Sequence, residues 1–215
     1  MITVATLDTN TPSVQYLSNK DKRLAKLFTM VGPIVYKCPT DLYSFLIGQI
    51  VNQMLSNKAS DAITSRLIDL CGGIISVSAI KQLSDSQIKS VGLSRYKVEY
   101  IRALTSAIEE GNINLDSLCS MKNDEVISVL TKVRGMGVWS AKMFLLFALD
   151  RQDILPFEDV AFLQGYKWLY KTDDISPESI KKRCSKWVPY QSIAARYLYR
   201  ALDEGLTKEV FHLYK

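Results

Sequence analysis

Apolar residues recur at three- and four-residue steps along most of this chain, and no segment offers a convincing two-residue alternation bounded by hairpin turns. That pattern predicts an all-α protein. After Pro39 and a cap at Thr40 or Asp41, the stripe Leu42, Phe45, Leu46, Ile50 and Leu55 predicts a core-facing helix to about Leu55. A second helix is expected from about Asn57 to Leu70, stopped by Gly72 and Gly73. Ser84 to Lys89 reads as a short helix. Ser94 opens a longer one whose stripe Val98, Ile101, Leu104 and Ile108 ends at Gly111, with a charged opposite face.

A helix from Lys122 to about Lys132 leads into a turn containing Gly135 and Gly137. Helix resumes over Val138 to Leu149 with only Ser140 and Lys142 polar, and such all-round apolarity predicts central burial. A polar loop, Asp150 to Asp153, and an extended Ile154-Leu155-Pro156 precede three further helices, at about Asp159–Tyr170, Pro177–Lys186 and Gln191–Glu204. No repeat, low-complexity tract or composition shift marks a linker.

Composition narrows the class. With 215 residues, 47% apolar and 23% charged, the chain is globular and buries a core as one large or two small lobes. The longest apolar run, Met143 to Leu149, is far short of the roughly 20 residues of a membrane-spanning helix. Met1 to Leu17 is polar and lacks the regions of a signal peptide, so no membrane partner and no secretion are expected. The formal net charge of +5 permits a polyanion partner without requiring one. Cys38, Cys71, Cys119 and Cys184 are scattered without close pairs, which favours reduced thiols over a zinc site or disulfide framework. A single histidine, His212, leaves little basis for histidine catalysis, so carboxylates or a lysine must carry any chemistry.

The turn Val133-Arg134-Gly135-Met136-Gly137 is the most informative local feature. Glycines there allow tight turning and close backbone approach, and the amides opening the next helix, with those of the turn, suit one phosphate of a nucleic-acid backbone. A Gly-x-Gly between helices is by itself usually only a connection. The ordered sequence around it carries more. The turn, the helix Val138–Leu149, the segment Ile154-Leu155-Pro156 and the acidic pair Glu158-Asp159 together resemble the helix-hairpin-helix Gly-Pro-Asp superfamily of DNA glycosylases. Gln53, Leu55, Ser56, Lys58 and Ala59 match that family's Gln-Gln-x-Ser-x-Lys-Ala-Ala stretch, and Gly92, Leu93, Ser94 and Lys97 its Gly-Leu-Ser-x-x-Lys stretch. Trp187, Pro189, Tyr190 and Ala194 match its Trp-x-Pro-Trp/Tyr motif, so the resemblance spans roughly residues 17 to 205.

The resemblance implies Asp159 as the catalytic aspartate facing the sugar of a flipped-out nucleotide, with Glu158 a weaker second choice. A carboxylate in the first helical turn also suits the amino-terminal dipole, and its negative charge can stabilise an oxocarbenium-like sugar and orient a water. The same residue types also make ordinary helix caps. Trp139 stands where strand-cutting relatives carry the lysine that forms a Schiff base. The implied enzyme is therefore monofunctional and leaves an abasic site, as in the 3-methyladenine DNA glycosylase II branch. Trp139 and Tyr190 match pocket aromatics of that branch, whose electron-rich faces suit positively charged alkylated purines such as 3-methyladenine and 7-methylguanine. As core aromatics they would be unremarked, and Trp187 fits packing between helices better than the pocket.

DNA contacts are implied at Arg134, Gly135, Met136, Gly137 and Val138, and Met54 or the adjacent Leu55 is implied as the apolar wedge filling the gap left by the flipped base. Gln49 and Gln53 fit buried amides better than base readers. The resemblance further implies one domain over residues 1–215 with a DNA-binding cleft between lobes. One lobe comprises about 38–149, with its helix-hairpin-helix at about 122–149, and the other about 1–37 plus 150–215. No iron-sulfur cluster is expected, because Cys184 stands alone where four grouped cysteines would be needed. An amino-terminal β domain is not expected ahead of the glutamine motif. Nor is a cofactor, apart from a monovalent cation on hairpin carbonyls when DNA is bound. The expected partner is double-stranded DNA containing damaged bases, met by a monomer, in the cytoplasm at the nucleoid of a prokaryote or in the nucleus of a eukaryote. Two alternatives stay open: a bifunctional glycosylase and lyase using Lys142, one helical turn beyond Trp139, and a non-catalytic hairpin module that only binds DNA.

Overall fold

The computed structural model describes residues 4–214. The chain forms two compact units, one built from Met1–Cys38 together with Asp150–Lys215 and the other from Pro39–Leu149. Among the described residues no helix is long and apolar enough to cross a membrane.

The first unit opens with a feature the helical pattern does not predict. Strand β1 (Val4–Leu7) pairs antiparallel with β2 (Ile34–Lys37), Val4 opposite Lys37 and Leu7 opposite Ile34. Each strand has four residues, too few for an alternation to register, and each leaves a valine exposed, Val4 and Val35, while burying Leu7 and Ile34. Helices dominate the architecture, with this ladder as an addition. Between the strands run α1 (Pro12–Lys20) and α2 (Lys22–Val31). Pro12 sits in the first turn of α1, where its missing N–H costs nothing. Asp21 caps α2 by accepting from the Arg23 amide at 2.9 Å, and Leu24, Leu27 and Phe28 are its buried face.

The second unit contains α3 (Leu42–Asn52), α4 (Asn57–Leu70), α5 (Val77–Gln82), α6 (Asp85–Ser90), α7 (Arg95–Glu109), α8 (Leu115–Leu118), α9 (Asn123–Leu130) and α10 (Val138–Met143). Asp41 caps α3 through the Ser44 amide at 3.0 Å. The helix ends at Asn52 rather than near Leu55, because Gln53 leaves the helical conformation with ψ 125° and Met54 follows in a left-handed one, φ 57°, that an α-helix cannot contain. The expected single helix Val138–Leu149 is instead α10 followed by a π-helical turn, Phe144–Ala148. Its central burial is as expected, with Ala141, Met143, Phe144, Leu145 and Leu146 all inside.

The chain then returns to the first unit for α11 (Val160–Tyr170), α12 (Pro177–Cys184) and α13 (Gln191–Asp203). Helices α11 and α13 meet closely at Gly165, where a Cβ would lie 3.1 Å from that of Leu198. Trp187 is fully buried and donates its indole N–H to Asp21 at 3.2 Å, so the first residue of the Trp-x-Pro-Tyr motif is a packing residue. Asp21 also accepts from the Tyr170 hydroxyl and pairs with Lys186 Nζ at 3.0 Å. Burial pushes the Asp21 carboxyl up, but the donors Tyr170, Lys186 and Trp187 outweigh it and hold the group below its ordinary value.

Candidate functional site

The sequence-derived candidates divide between the units. Met54, Leu55, the hairpin and Trp139 belong to the second, and Asp159 and Tyr190 to the first.

The hairpin is Val133–Gly137, between α9 and α10. The Met136 amide closes the turn by donating to Val133 O at 3.0 Å, and the Met136 side chain is buried, so that residue shapes the turn from inside. Gly135 has φ 89°, and a Cβ there would fall within the ring of Tyr100 on α7. A side chain is excluded both by conformation and by space. Gln53, at the end of α3, donates its side-chain N–H to Gly135 O at 2.8 Å. The buried-amide reading of Gln53 thus acquires a specific object: it fixes the hairpin to the α3–α4 turn. Gly137 is the cap residue of α10, with φ −96° and open space where a Cβ would go. The first amides of α10, beginning with exposed Val138, lack intrahelical acceptors by the geometry of a helix start. Arg134 is exposed, its guanidinium 2.8 Å from Glu99.

Around Met54 the structure is built to present a side chain. Lys97 of α7 is half-buried and donates its ammonium to Val51 O at 2.8 Å, satisfying a carbonyl at the end of α3. Burial pushes the Lys97 pKa below its ordinary value. With Gln53 bonded to Gly135 and Ser56 capping α4 through the Ala59 amide at 3.4 Å, the residues between are held at both ends. Met54 is 100% exposed and Leu55 38%. An exposed methionine held in a left-handed conformation is costly in both respects, and such positions concentrate where a ligand is met. Trp139 is half-buried in the first turn of α10, with Lys142 half-buried three residues on.

In the first unit Asp159 caps α11. Its Oδ1 accepts from the Phe162 amide at 2.7 Å, and the residue is 9% exposed, whereas its neighbour Glu158 lies exposed. A nearly buried carboxylate at a helix amino terminus can present concentrated negative charge. Tyr199 of α13 is its neighbour: burial, the Asp159 charge and a hydrogen bond to that carboxylate push the Tyr199 hydroxyl well above its ordinary pKa. Sequence reasoning missed Tyr199, because nothing in the spacing on α13 separates it from the packing residues beside it. Tyr190 precedes α13, and its ring meets Tyr16 edge-on at 5.4 Å, while the Tyr16 hydroxyl donates to Val188 O at 2.8 Å across a turn whose Val188–Pro189 peptide is cis. Among the described residues no cluster of three or more His, Cys, Asp or Glu side chains could hold a metal ion, and the cysteines form no disulfide.

The family model for HhH-GPD superfamily base excision DNA repair proteins matches residues 47–190, a span that includes Met54, the hairpin, Trp139 and Asp159. The chain is 30% identical to a DNA-3-methyladenine glycosidase from Bacillus halodurans, whose crystal structure it matches with a TM-score of 0.85 over 97% of each chain. It matches the 3-methyladenine DNA glycosylase of Schizosaccharomyces pombe, solved in complex with abasic DNA, with a TM-score of 0.80 at 25% identity, over 95% of this chain and 100% of that one. In sequence it is 31% identical over 153 residues to the DNA-3-methyladenine glycosylase of Saccharomyces cerevisiae, covering 66% of this chain and 52% of the yeast protein.

Proposed function

Because the chain belongs to the HhH-GPD superfamily of base excision DNA repair proteins, we propose that it is a DNA glycosylase hydrolysing the N-glycosidic bond of alkylated purines and leaving an abasic site. The observation that carries this reading is Asp159, a nearly buried carboxylate at the amino terminus of α11 and inside the matched span.

The chemistry follows from charge. As the C1′–N bond breaks, its electron pair leaves with the base, and positive charge develops on the sugar. The Asp159 carboxylate stabilises that charge and orients the water that adds to C1′, the water releasing a proton to the surrounding solvent as the sugar hydroxyl forms. A 3-alkyladenine or 7-alkylguanine already carries positive charge and departs neutral, so less stabilisation is required of the protein. Trp139 and Tyr190 supply electron-rich faces for such a cation. Trp139 has no amine with which to attack the sugar, which favours water as the nucleophile.

Binding divides into parts. The α10 amides and the hairpin take a backbone phosphate, with Arg134, Gly137 and Val138 at the surface. Met54 is the wedge, with Leu55 beside it, because the more exposed of the two is also the one the backbone holds at a cost. The carbonyls of Val133, Gly135 and Gly137 each accept a hydrogen bond and each retain a second lone pair. A set of neutral oxygens of that kind fits a monovalent cation, which would add positive charge beside the phosphate. The direct test is Asp159→Asn with methylated duplex DNA: release of 3-methyladenine at the wild-type rate refutes the assignment, and a panel of duplexes with single lesions defines the range.

A further inference from the structure

Positive charge also gathers on α12 and the turn after it. Between Pro177 and Trp187 stand Lys181, Lys182, Arg183 and Lys186 against one acid, Glu178. The carboxyl end of a helix favours cations, and three of the four have partners of their own. The Arg183 guanidinium lies 4.9 Å from the ring centroid of Tyr170, and Lys186 pairs with Asp21. Lys181 and Lys182 are exposed, and the first of them is placed with some care. Its ammonium sits 4.6 Å from the ring centroid of Phe157, in the turn that leads directly into Asp159. A cation held on an aromatic face loses less freedom when it meets an anion.

We propose that Lys181 and Lys182 form a docking surface for the DNA sugar-phosphate backbone on the first unit, in addition to the hairpin of the second. The inference rests on the glycosylase reading and deepens it. A nucleotide whose sugar faces Asp159 brings its flanking phosphates toward a carboxylate, and cations of the same unit can offset that repulsion. Lys181, fixed to Phe157, is positioned to offset it, and Lys182 extends the positive surface along α12. Arg183 and Lys186 hold the helix on its aromatic and acidic partners, Tyr170 and Asp21.

The test is the salt dependence of duplex binding by the full chain, measured by fluorescence anisotropy for wild type, Lys181→Ala/Lys182→Ala and Lys181→Arg/Lys182→Arg. Each phosphate contact contributes about 0.9 to the slope of log K against log salt, so the alanine pair should flatten the slope by about 1.8. Between about 50 and 200 mM salt its affinity then falls roughly twelvefold less than that of the wild type. The arginine pair should keep the wild-type slope. A steep wild-type slope left unchanged by the alanine pair overturns this proposal alone, as does an arginine pair that behaves like the alanine pair. A wild-type affinity indifferent to salt overturns the glycosylase reading with it.

Discussion

Gly135 and Gly137 look equivalent as a Gly-x-Gly, yet the structure gives them different burdens, and a pair of alanine substitutions measures the difference. At Gly135 an alanine must adopt φ near 89° and place its Cβ in the Tyr100 ring. The left-handed conformation costs about 1–2 kcal/mol and the overpacking about 1–3 kcal/mol, so Gly135→Ala should lose roughly 2–5 kcal/mol. At Gly137 the conformation is open to any residue and the space is empty, which leaves only the poorer capping of alanine, about 1 kcal/mol or less. Urea denaturation of the three proteins, followed by circular dichroism, reads both values. Tyr100→Ala removes the ring that the new methyl meets, so in a double-mutant cycle it should return about 1–3 kcal/mol to Gly135→Ala and leave the conformational part in place. Gly135→Ala proving no worse than Gly137→Ala would refute the claim that Tyr100 packing shapes the hairpin, and so would a cycle with no coupling.

Two further perturbations probe other parts of the molecule. Burial raises the hydroxyls of Tyr36, Tyr43 and Tyr197 to about 12, and those of Tyr170 and Tyr199 are raised as well. Because the folded values lie above the unfolded value of about 10, their contribution is complete below pH of about 10 and is lost as pH climbs toward about 12. Stability should fall across that window, with buried tyrosinate absorbance appearing together with unfolding; tyrosinate formation complete near pH 10 in a still-folded protein would contradict the burial. Met54→Ala removes a fully exposed side chain and should leave the melting temperature within a few degrees while weakening lesion-duplex binding and single-turnover base release; excision at the wild-type rate would remove Met54 from the wedge role.

The helices legible beforehand are those that bury one continuous stripe, as α3, α7 and α13 do. What escaped was held together by partners distant in sequence. Helices α1 and α2 are short and polar on one side, and their Asp21 makes sense only beside Tyr170, Lys186 and Trp187. The four-residue strands acquire meaning from each other alone. Among the site residues, Asp159 stood out because its spacing after Pro156 matches the motif of the family the chain resembles, and the hairpin through its glycines. The Gln53 bond to Gly135, the Lys97 bond to Val51 and the nearness of Tyr199 to Asp159 each join segments distant in sequence, and one-dimensional spacing carries no trace of them. The strain at Met54 was equally invisible, since it arises from closing the turn between α3 and α4 with both ends already tied.

Asp159 has two duties, and a substitution separates them only if it preserves one. As a cap it accepts a hydrogen bond from the Phe162 amide, a task that needs an oxygen but no charge. As a catalyst it must place negative charge where positive charge develops, a task for which an amide oxygen of the same shape is a poor substitute. Asparagine caps about as well as aspartate, so Asp159→Asn should change stability by only a few tenths of a kcal/mol, whereas Asp159→Ala gives up the cap and about 1 kcal/mol. If the charge is catalytic, both variants should lose single-turnover base release by at least about a hundredfold, the loss expected from removing one strong electrostatic stabiliser. If Asp159 were a cap alone, activity would follow stability: the asparagine variant would excise like wild type, and only the alanine variant would falter. Activity lost equally in two variants of unequal stability is therefore the signature of the carboxylate charge, and activity retained by asparagine would move the catalytic role away from this residue.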